Sequence, residues 1–229
     1  CGGCPCHRAG TGGRRRDGID RYELIPPNPD EPGKGLAALP PPSRLDVFFD
    51  IESDPWALDD GLEYLLGVAV TVDGVATYRP FWSHDREGEK RAFEEFIDFC
   101  IQRLDAHPTM HVYHYGGYES GAIKRLMRRH ATREDEVDRL LRGGSFIDLL
   151  NVVRQGVRAS VESYSLKQIE KFYLEQREGP VTEAGFSVVE YERWMRERDA
   201  AILQGIADYN RDDCVSTLQL RAWLEDRRT

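Results

Sequence analysis

The sequence of 229 residues contains no apolar run long enough to cross a membrane and no signal peptide. We therefore expect a cytoplasmic protein that does not contact a membrane. An excess of basic residues is also lacking, because 31 Lys and Arg residues are outnumbered by 40 Asp and Glu residues, for a net charge of −9. This balance argues against a protein that coats nucleic acid regardless of sequence, although local basic clusters can still contact phosphates.

Cysteine is scarce beyond the N-terminus, where Cys1, Cys4 and Cys6 precede a stretch rich in Gly and Pro and poor in apolar residues. This composition predicts an arm or linker over residues 1–44 and a globular domain over residues 45–229. Because the chain begins with Cys rather than Met, we expect it to follow an upstream domain. The three cysteines would then complete an iron–sulfur or zinc site of that domain; the alternative is a flexible arm with reduced cysteines.

Two acids end an apolar, aromatic-rich run that starts at Leu45 and predicts a buried strand. Asp50 and Glu52 are two residues apart, so their side chains point to the same face of that strand. Two carboxylates at such a place repel each other and resist burial unless a cation binds them. The alternative is that the strand simply ends here and both acids are solvated.

Two later segments contain acids in comparable settings. Tyr209 and Asp213 are four residues apart in a helical pattern and therefore share one helical face. Glu119 follows a short apolar strand and a Gly-Gly break, which predicts a position near a helix N-terminus. An acid at that position is also favoured by the helix dipole alone.

Taken in order, the three segments resemble the DEDD superfamily of 3′–5′ exonucleases, in the branch with tyrosine in the third motif. Asp50 and Glu52 match the first motif, Asp-x-Glu. Tyr209 and Asp213 match the third, Tyr-x-x-x-Asp. The second motif departs from the family pattern, since Glu119 replaces Asp and His114 stands where the family has Asn.

A closer likeness is carried by Tyr113–Glu119, Ser163–Lys167 and Tyr209–Cys214. These segments resemble the ribonuclease H-like domain that follows a RecB-type nuclease domain in bacterial proteins and often precedes a superfamily 1 helicase. The resemblance implies an α/β, ribonuclease H-like fold, with a mixed sheet of three antiparallel strands and then parallel strands, flanked by helices. It also implies fusion to such nuclease or helicase domains, and single-stranded DNA or RNA 3′ ends as partners.

The apolar patterns agree with that fold. After the first strand they follow in this order: β-rich runs at 65–72 and 75–82 joined by Asp73-Gly74, a helical stripe at 93–104, a short strand at 110–115, a helix after Glu119 and a further apolar run at 146–153.

The resemblance further implies a site with two divalent cations, Mg²⁺ or Mn²⁺, which suit all-oxygen ligands. Asp50 would bridge both ions, and Glu52 and Asp213 would hold the ion that activates water. Glu119 would support the other ion. Tyr209 would orient the attacking water, since an ordinary tyrosine with a pKa of about 10 is a poor base at neutral pH.

Candidate ligands for the nucleic-acid backbone are Lys124 and Arg125, which follow the second motif, and Lys167. For these basic residues the alternative is a solvated charged face. The leading hypothesis is a metal-dependent 3′–5′ exonuclease acting on single-stranded DNA or RNA. The alternative is a catalytically weak nucleic-acid-binding module that positions a strand end for fused nuclease or helicase domains. A purely structural domain would leave the coincidence of three motifs unexplained.

Overall fold

The computed structural model describes residues 20–174 and 185–228. In these ranges a five-stranded sheet has the order β4-β3-β2-β5-β6. Its strands are β2 (Val47–Asp54), β3 (Leu62–Val72), β4 (Val75–Trp82), β5 (Val112–His114) and β6 (Phe146–Asp148). The first three pair antiparallel, whereas β5 runs parallel to both β2 and β6. The predicted α/β fold with a mixed sheet is confirmed.

Helices cover both faces of this sheet. They are α1 (Arg86–Ala106), α2 (Tyr118–His130), α3 (Glu134–Arg142), α4 (Leu149–Gly156), α5 (Leu166–Ile169), α6 (Phe186–Glu197) and α7 (Ala200–Glu225). Short 3₁₀ turns lie at Gly35–Ala38, Ala57–Asp59 and Glu170–Phe172. Within the described ranges, no helix combines the length and the apolar character that a membrane span requires.

Side-chain alternation along β2 assigns each face of the sheet to a different set of helices. Phe49 belongs to the core formed with α1, α2 and α3, and its ring stacks on Phe96 at 4.2 Å between centroids. Phe48 belongs to the opposite core, formed with α4 and α7. Because residues two apart share a face, Asp50 lies on the α7 side together with Phe48.

The hairpin β3–β4 forms where the sequence predicts it. Its two turn residues, Asp73 and Gly74, both have positive φ angles, of 49° and 82°. That backbone matches the type I′ turn, whose twist suits a two-residue hairpin and which favours the Asp-Gly pair. The prediction of a hairpin is therefore confirmed.

The predicted apolar run at 146–153 is divided between two elements. It begins as β6 and becomes helical at Leu149, because the carboxylate of Asp148 accepts a hydrogen bond from the Leu150 amide at 2.9 Å and caps α4. An apolar run alone does not distinguish a strand from a buried helix, and here the capping acid marks the boundary.

The sequence assigns residues 1–44 to an arm, and residues 20–44 lie against the domain. Strand β1 (Tyr22–Leu24) pairs antiparallel with β7 (Val157–Ala159) in a separate two-stranded sheet. Leu36 and Leu39 are 8% and 2% exposed and join the core next to α4. The few apolar side chains of this stretch therefore dock it on the domain. Cys1, Cys4 and Cys6 lie outside the described residues.

Candidate functional site

Three carboxylates from two elements meet at one point on the sheet. Asp50 and Glu52 project from β2, and Asp213 projects from α7, which packs across the same face. One ligand oxygen from each lies within 4.8 Å of the others. The sequence predicts that the two acids of β2 share a face. The three-dimensional packing of α7 brings the third acid to them across more than 160 residues of chain.

Burial makes the charged forms of Asp50 and Glu52 unfavourable. Burial raises the pKa of Asp50 well above its ordinary value of 3.8, and the negative charges of Glu52, Asp213 and Glu119 raise it further. For Glu52, burial raises the pKa from 4.5 to about 7, although a hydrogen bond from Ser187 lowers it. A divalent cation would remove both penalties, because it supplies the charge that the surroundings lack.

Glu119 lies at the start of α2, as the sequence predicts, but outside the three-acid group. Its side chain is buried, and its Oε2 forms no hydrogen bond among the described residues. The Nδ1 atom of His114 lies 3.4 Å from that oxygen. This nitrogen donates instead to the carbonyl of Gly116 at 2.7 Å. The second motif thus presents a buried carboxylate oxygen that is still able to accept a ligand.

Tyr209 lies one helical turn before Asp213 and contacts the ammonium group of a lysine. The ammonium of Lys167 donates a hydrogen bond to the Tyr209 hydroxyl at 3.0 Å and lies 4.6 Å from the centroid of its ring. Lys167 is therefore placed beside the third motif rather than on a distant surface.

The other two basic candidates, both on α2, differ from each other. Lys124 is exposed. Arg125 donates to Oε1 of Glu63 at 2.8 Å and stacks over the ring of Tyr118, whose hydroxyl donates to the other oxygen of Glu63 at 2.9 Å. Arg125 is thus part of a clamp between α2 and β3, and this explains its position without any nucleic acid.

A second acid strengthens the same clamp. Glu89 of α1 is fully buried and accepts hydrogen bonds from the Glu63 amide and from Arg129. His130 lies within hydrogen-bonding distance of the same carboxylate, at 2.8 Å. These contacts fix α2 against α1 and the start of β3. They therefore also fix the helix N-terminus that carries Glu119.

Asn210 of α7 is part of the site and was not among the sequence-predicted residues. It is fully buried, and its Nδ2 donates to Asp50 at 2.8 Å and to Glu52 at 3.4 Å. A signal for it exists in the sequence, because Ile206, Asn210 and Cys214 form a buried helical stripe in which the amide is out of place. Ser187, at the start of α6, carries no comparable signal.

Two acids next to the motifs have other partners. Asp212 points away from the group and pairs with Arg211 at 3.1 Å, as expected for consecutive helical positions. Asp148 caps α4 and also accepts from the Gly116 amide at 2.9 Å. It therefore holds the loop that precedes Glu119.

The donor set fits a hard divalent cation. The ligand atoms offered by Asp50, Glu52 and Asp213 are all carboxylate oxygens, which are preferred by Mg²⁺ and Mn²⁺. The buried oxygen of Glu119 without a hydrogen bond adds a further acceptor on the α2 side. Buried negative charge and an acceptor without a donor are both expected where a cation belongs.

The comparisons with known proteins agree with this geometry. One family model, the RNase H superfamily, matches residues 47–225, a range that includes all four acids. No match was found among curated proteins or among solved structures. Ribonuclease H-like nucleases act on nucleic acids and use divalent metals, so the family and the acidic group both indicate a metal-dependent nuclease. The match covers most of the chain, which therefore belongs to the RNase H superfamily.

Proposed function

We propose that the chain is a divalent-metal-dependent 3′–5′ exonuclease that hydrolyses phosphodiesters of single-stranded DNA or RNA. The observation that carries this proposal is the group of three carboxylates whose ligand oxygens lie within 4.8 Å of one another. The order of the three motifs and their resemblance to the tyrosine branch of the DEDD exonucleases support the direction of cleavage.

Each acid has a role in this proposal. Asp50 lies at the centre, since the charges of Glu52, Asp213 and Glu119 all act on it. Glu52 and Asp213 complete the group on one side, and Glu119 offers its free oxygen on the other. Two bound divalent ions would supply an activated water and stabilise the charge that develops on the phosphate and the leaving oxygen.

Tyr209 and Lys167 position the substrate. The Tyr209 hydroxyl accepts a hydrogen bond from Lys167, and in this proposal it orients the attacking water. The Lys167 ammonium lies beside Tyr209 and would contact the phosphate backbone, together with exposed Lys124 on α2. Because these two lysines act on the phosphates locally, strand binding is compatible with the net charge of −9.

The test uses DNA and RNA single strands of one sequence, labelled at the 5′ end and incubated with Mn²⁺, Mg²⁺ or EDTA. We expect a metal-dependent ladder that shortens from the 3′ end. Asp213→Asn should abolish the ladder, whereas Asp212→Asn, which changes the exposed neighbouring acid, should retain it. Cleavage of a circular single strand would instead indicate an endonuclease, and cleavage that persists in EDTA would refute the proposal.

One observation favours a second candidate, a module that binds a strand end and cleaves it weakly. Glu119 lies outside the three-acid group, and the second motif departs from the family pattern in two residues. The resemblance to domains that accompany RecB-type nucleases and helicases supports such a positioning role in a larger protein. Metal-dependent binding of a 3′ end, measured by fluorescence anisotropy, without any shortening of the strand would favour this candidate.

A further inference from the structure

Asn210 forms hydrogen bonds on both sides of its amide group. On one side, Nδ2 donates to Oδ2 of Asp50 at 2.8 Å and lies 3.4 Å from Oε1 of Glu52. On the other side, Oδ1 accepts from the hydroxyl of Tyr78 at 2.8 Å. The thiol of Cys214 lies 3.8 Å from Oδ1 and closer, at 3.3 Å, to the carbonyl of Gly67. The amide therefore connects the two acids of β2 to the Tyr78 side chain on β4.

The partners determine which way the amide points. Carboxylate oxygens that bind a metal accept hydrogen bonds, so they require the NH₂ group and would repel the carbonyl oxygen. Tyr78 carries a proton that it donates to Oδ1. A rotated amide would place its oxygen against Asp50, and two acceptors would then face each other. The carboxylates thus select the orientation in which Asn210 donates to them, and Tyr78 bonds to the amide oxygen on the other side.

The sheet leaves space for this amide at a single glycine. Gly67 of β3 pairs with Asp50 in the strand register, and it faces α7. A Cβ atom built on Gly67 would overlap Oδ1 of Asn210 and would lie 2.9 Å from the Tyr78 hydroxyl. A glycine inside a strand marks a close approach by another group. Here that group is the Asn210 amide, which occupies the space beside Asp50.

We propose that Asn210 is a positioning residue, which holds Asp50 and Glu52 in their cation-binding orientation before the cation arrives. The inference rests on the proposed function for the identity of the cation. One oxygen of each carboxylate bonds to the amide, and the second oxygen of each has no bond to it. The amide also keeps together two side chains that repel each other once both are ionised and that could then separate by rotating into other conformations.

Manganese binding by the full chain, measured by isothermal titration calorimetry, tests the inference without relying on cleavage. The variants are Tyr78→Phe, Asn210→Ala and the combination of both. Tyr164→Phe is the matched control, because it removes a tyrosine hydroxyl that bonds to the backbone near β7. Thermal unfolding of every variant separates a loss of affinity from a loss of fold.

Tyr78→Phe should weaken manganese binding roughly fivefold, the factor that corresponds to one net hydrogen bond. Asn210→Ala should weaken it by more. In the Asn210→Ala background, Tyr78→Phe should have no further effect, since Tyr78 acts through the amide. If Asn210→Ala does not fold, Tyr78→Phe against Tyr164→Phe still decides. Affinity equal to the wild type in folded Tyr78→Phe, or additive effects in the double variant, would overturn the inference.

A spectroscopic measurement gives a second readout. In the ¹⁵N-labelled protein, the side-chain NH₂ signals of Asn210 are identified by their loss in Asn210→Ala, and magnesium should shift them during titration. Signals that do not respond while magnesium binds would overturn the positioning role. A wild type that binds neither ion would refute the proposed function and the inference together. Metal binding with the predicted affinities but without cleavage would refute only the function.

Discussion

Glu52→Gln is expected to stabilise the metal-free protein at neutral and alkaline pH while it removes a proposed metal ligand. The side chain is 7% exposed, and burial raises its pKa from 4.5 to about 7. Between these pH values the folded protein retains a proton that the unfolded chain has lost. The free energy of unfolding of the wild type therefore falls as the pH rises through this interval. Glutamine is uncharged at every pH and does not cause this fall.

The size of the effect follows from the two pKa values. Each pKa unit corresponds to about 1.4 kcal/mol, so the change from 4.5 to about 7 amounts to about 3 kcal/mol once Glu52 is fully ionised. In a domain of this size, that difference raises the melting temperature by roughly 6–12 °C. Asp50 adds to the advantage of the variant, because the charge of Glu52 contributes to its raised pKa.

Thermal and urea unfolding in EDTA, at about pH 4.5 and about pH 8, measure this difference. The matched control is Glu95→Gln, which makes the same chemical change on the exposed face of α1. The reasoning is refuted if Glu52→Gln is no more stable than the wild type at the higher pH, or if it gains no more than the control. Magnesium should then stabilise the wild type at the higher pH and leave Glu52→Gln nearly unchanged.

Three further predictions concern the surroundings of the acids. Tyr209→Phe should lower the cleavage rate about a hundredfold through loss of orientation, with calorimetric manganese affinity unchanged. Arg125→Ala should lower the free energy of unfolding by about 1 kcal/mol, since it removes a charged partner of buried Glu63 and leaves the Tyr118 hydroxyl. Exposed Lys124→Ala should leave urea unfolding unchanged and weaken single-strand binding in an anisotropy titration. Glu89→Gln should lower the free energy of unfolding in urea by about 3 kcal/mol, because three basic side chains lose a fully buried carboxylate. A urea midpoint equal to that of the wild type would contradict this.

Local periodicity was sufficient to predict the parts of the site that lie on one element. Alternation along β2 places Asp50 and Glu52 on one face, and the helical period places Tyr209 with Asp213. The same rules predicted the hairpin and the helix that starts beside Glu119. Each of these predictions depends on residues within about one turn or one strand of each other. Over such a short distance, the spacing in the sequence determines which face each side chain occupies.

Relations between distant elements could not be predicted in this way. The sequence shows Arg125 as one of several basic residues on α2, and only the packing of α2 against β3 reveals that Glu63 is its partner. Asn210 was visible in principle as a polar residue in an apolar stripe. Its partners on two strands are seen only in the three-dimensional structure, where Gly67 leaves space for its amide. A charge or an amide acquires its role from whatever the fold places opposite to it.

The buried acids lower the stability of the fold. The packing around β2 explains why they nevertheless stay together. Phe48 and Phe49 fill cores on opposite faces of the sheet, so the strand cannot twist to move its two acids apart without breaking one core or the other. Asn210 then prevents the side chains themselves from rotating away. Only protonation or a bound cation can then neutralise the buried negative charge, and near neutral pH protons and the cation compete for the same oxygens.

Metal binding should therefore release protons, and the number released should fall as the pH rises through about 7, the pKa of Glu52. Calorimetric titrations of manganese in two buffers of different ionisation enthalpy measure this number, and proton release that does not vary with pH would contradict the argument.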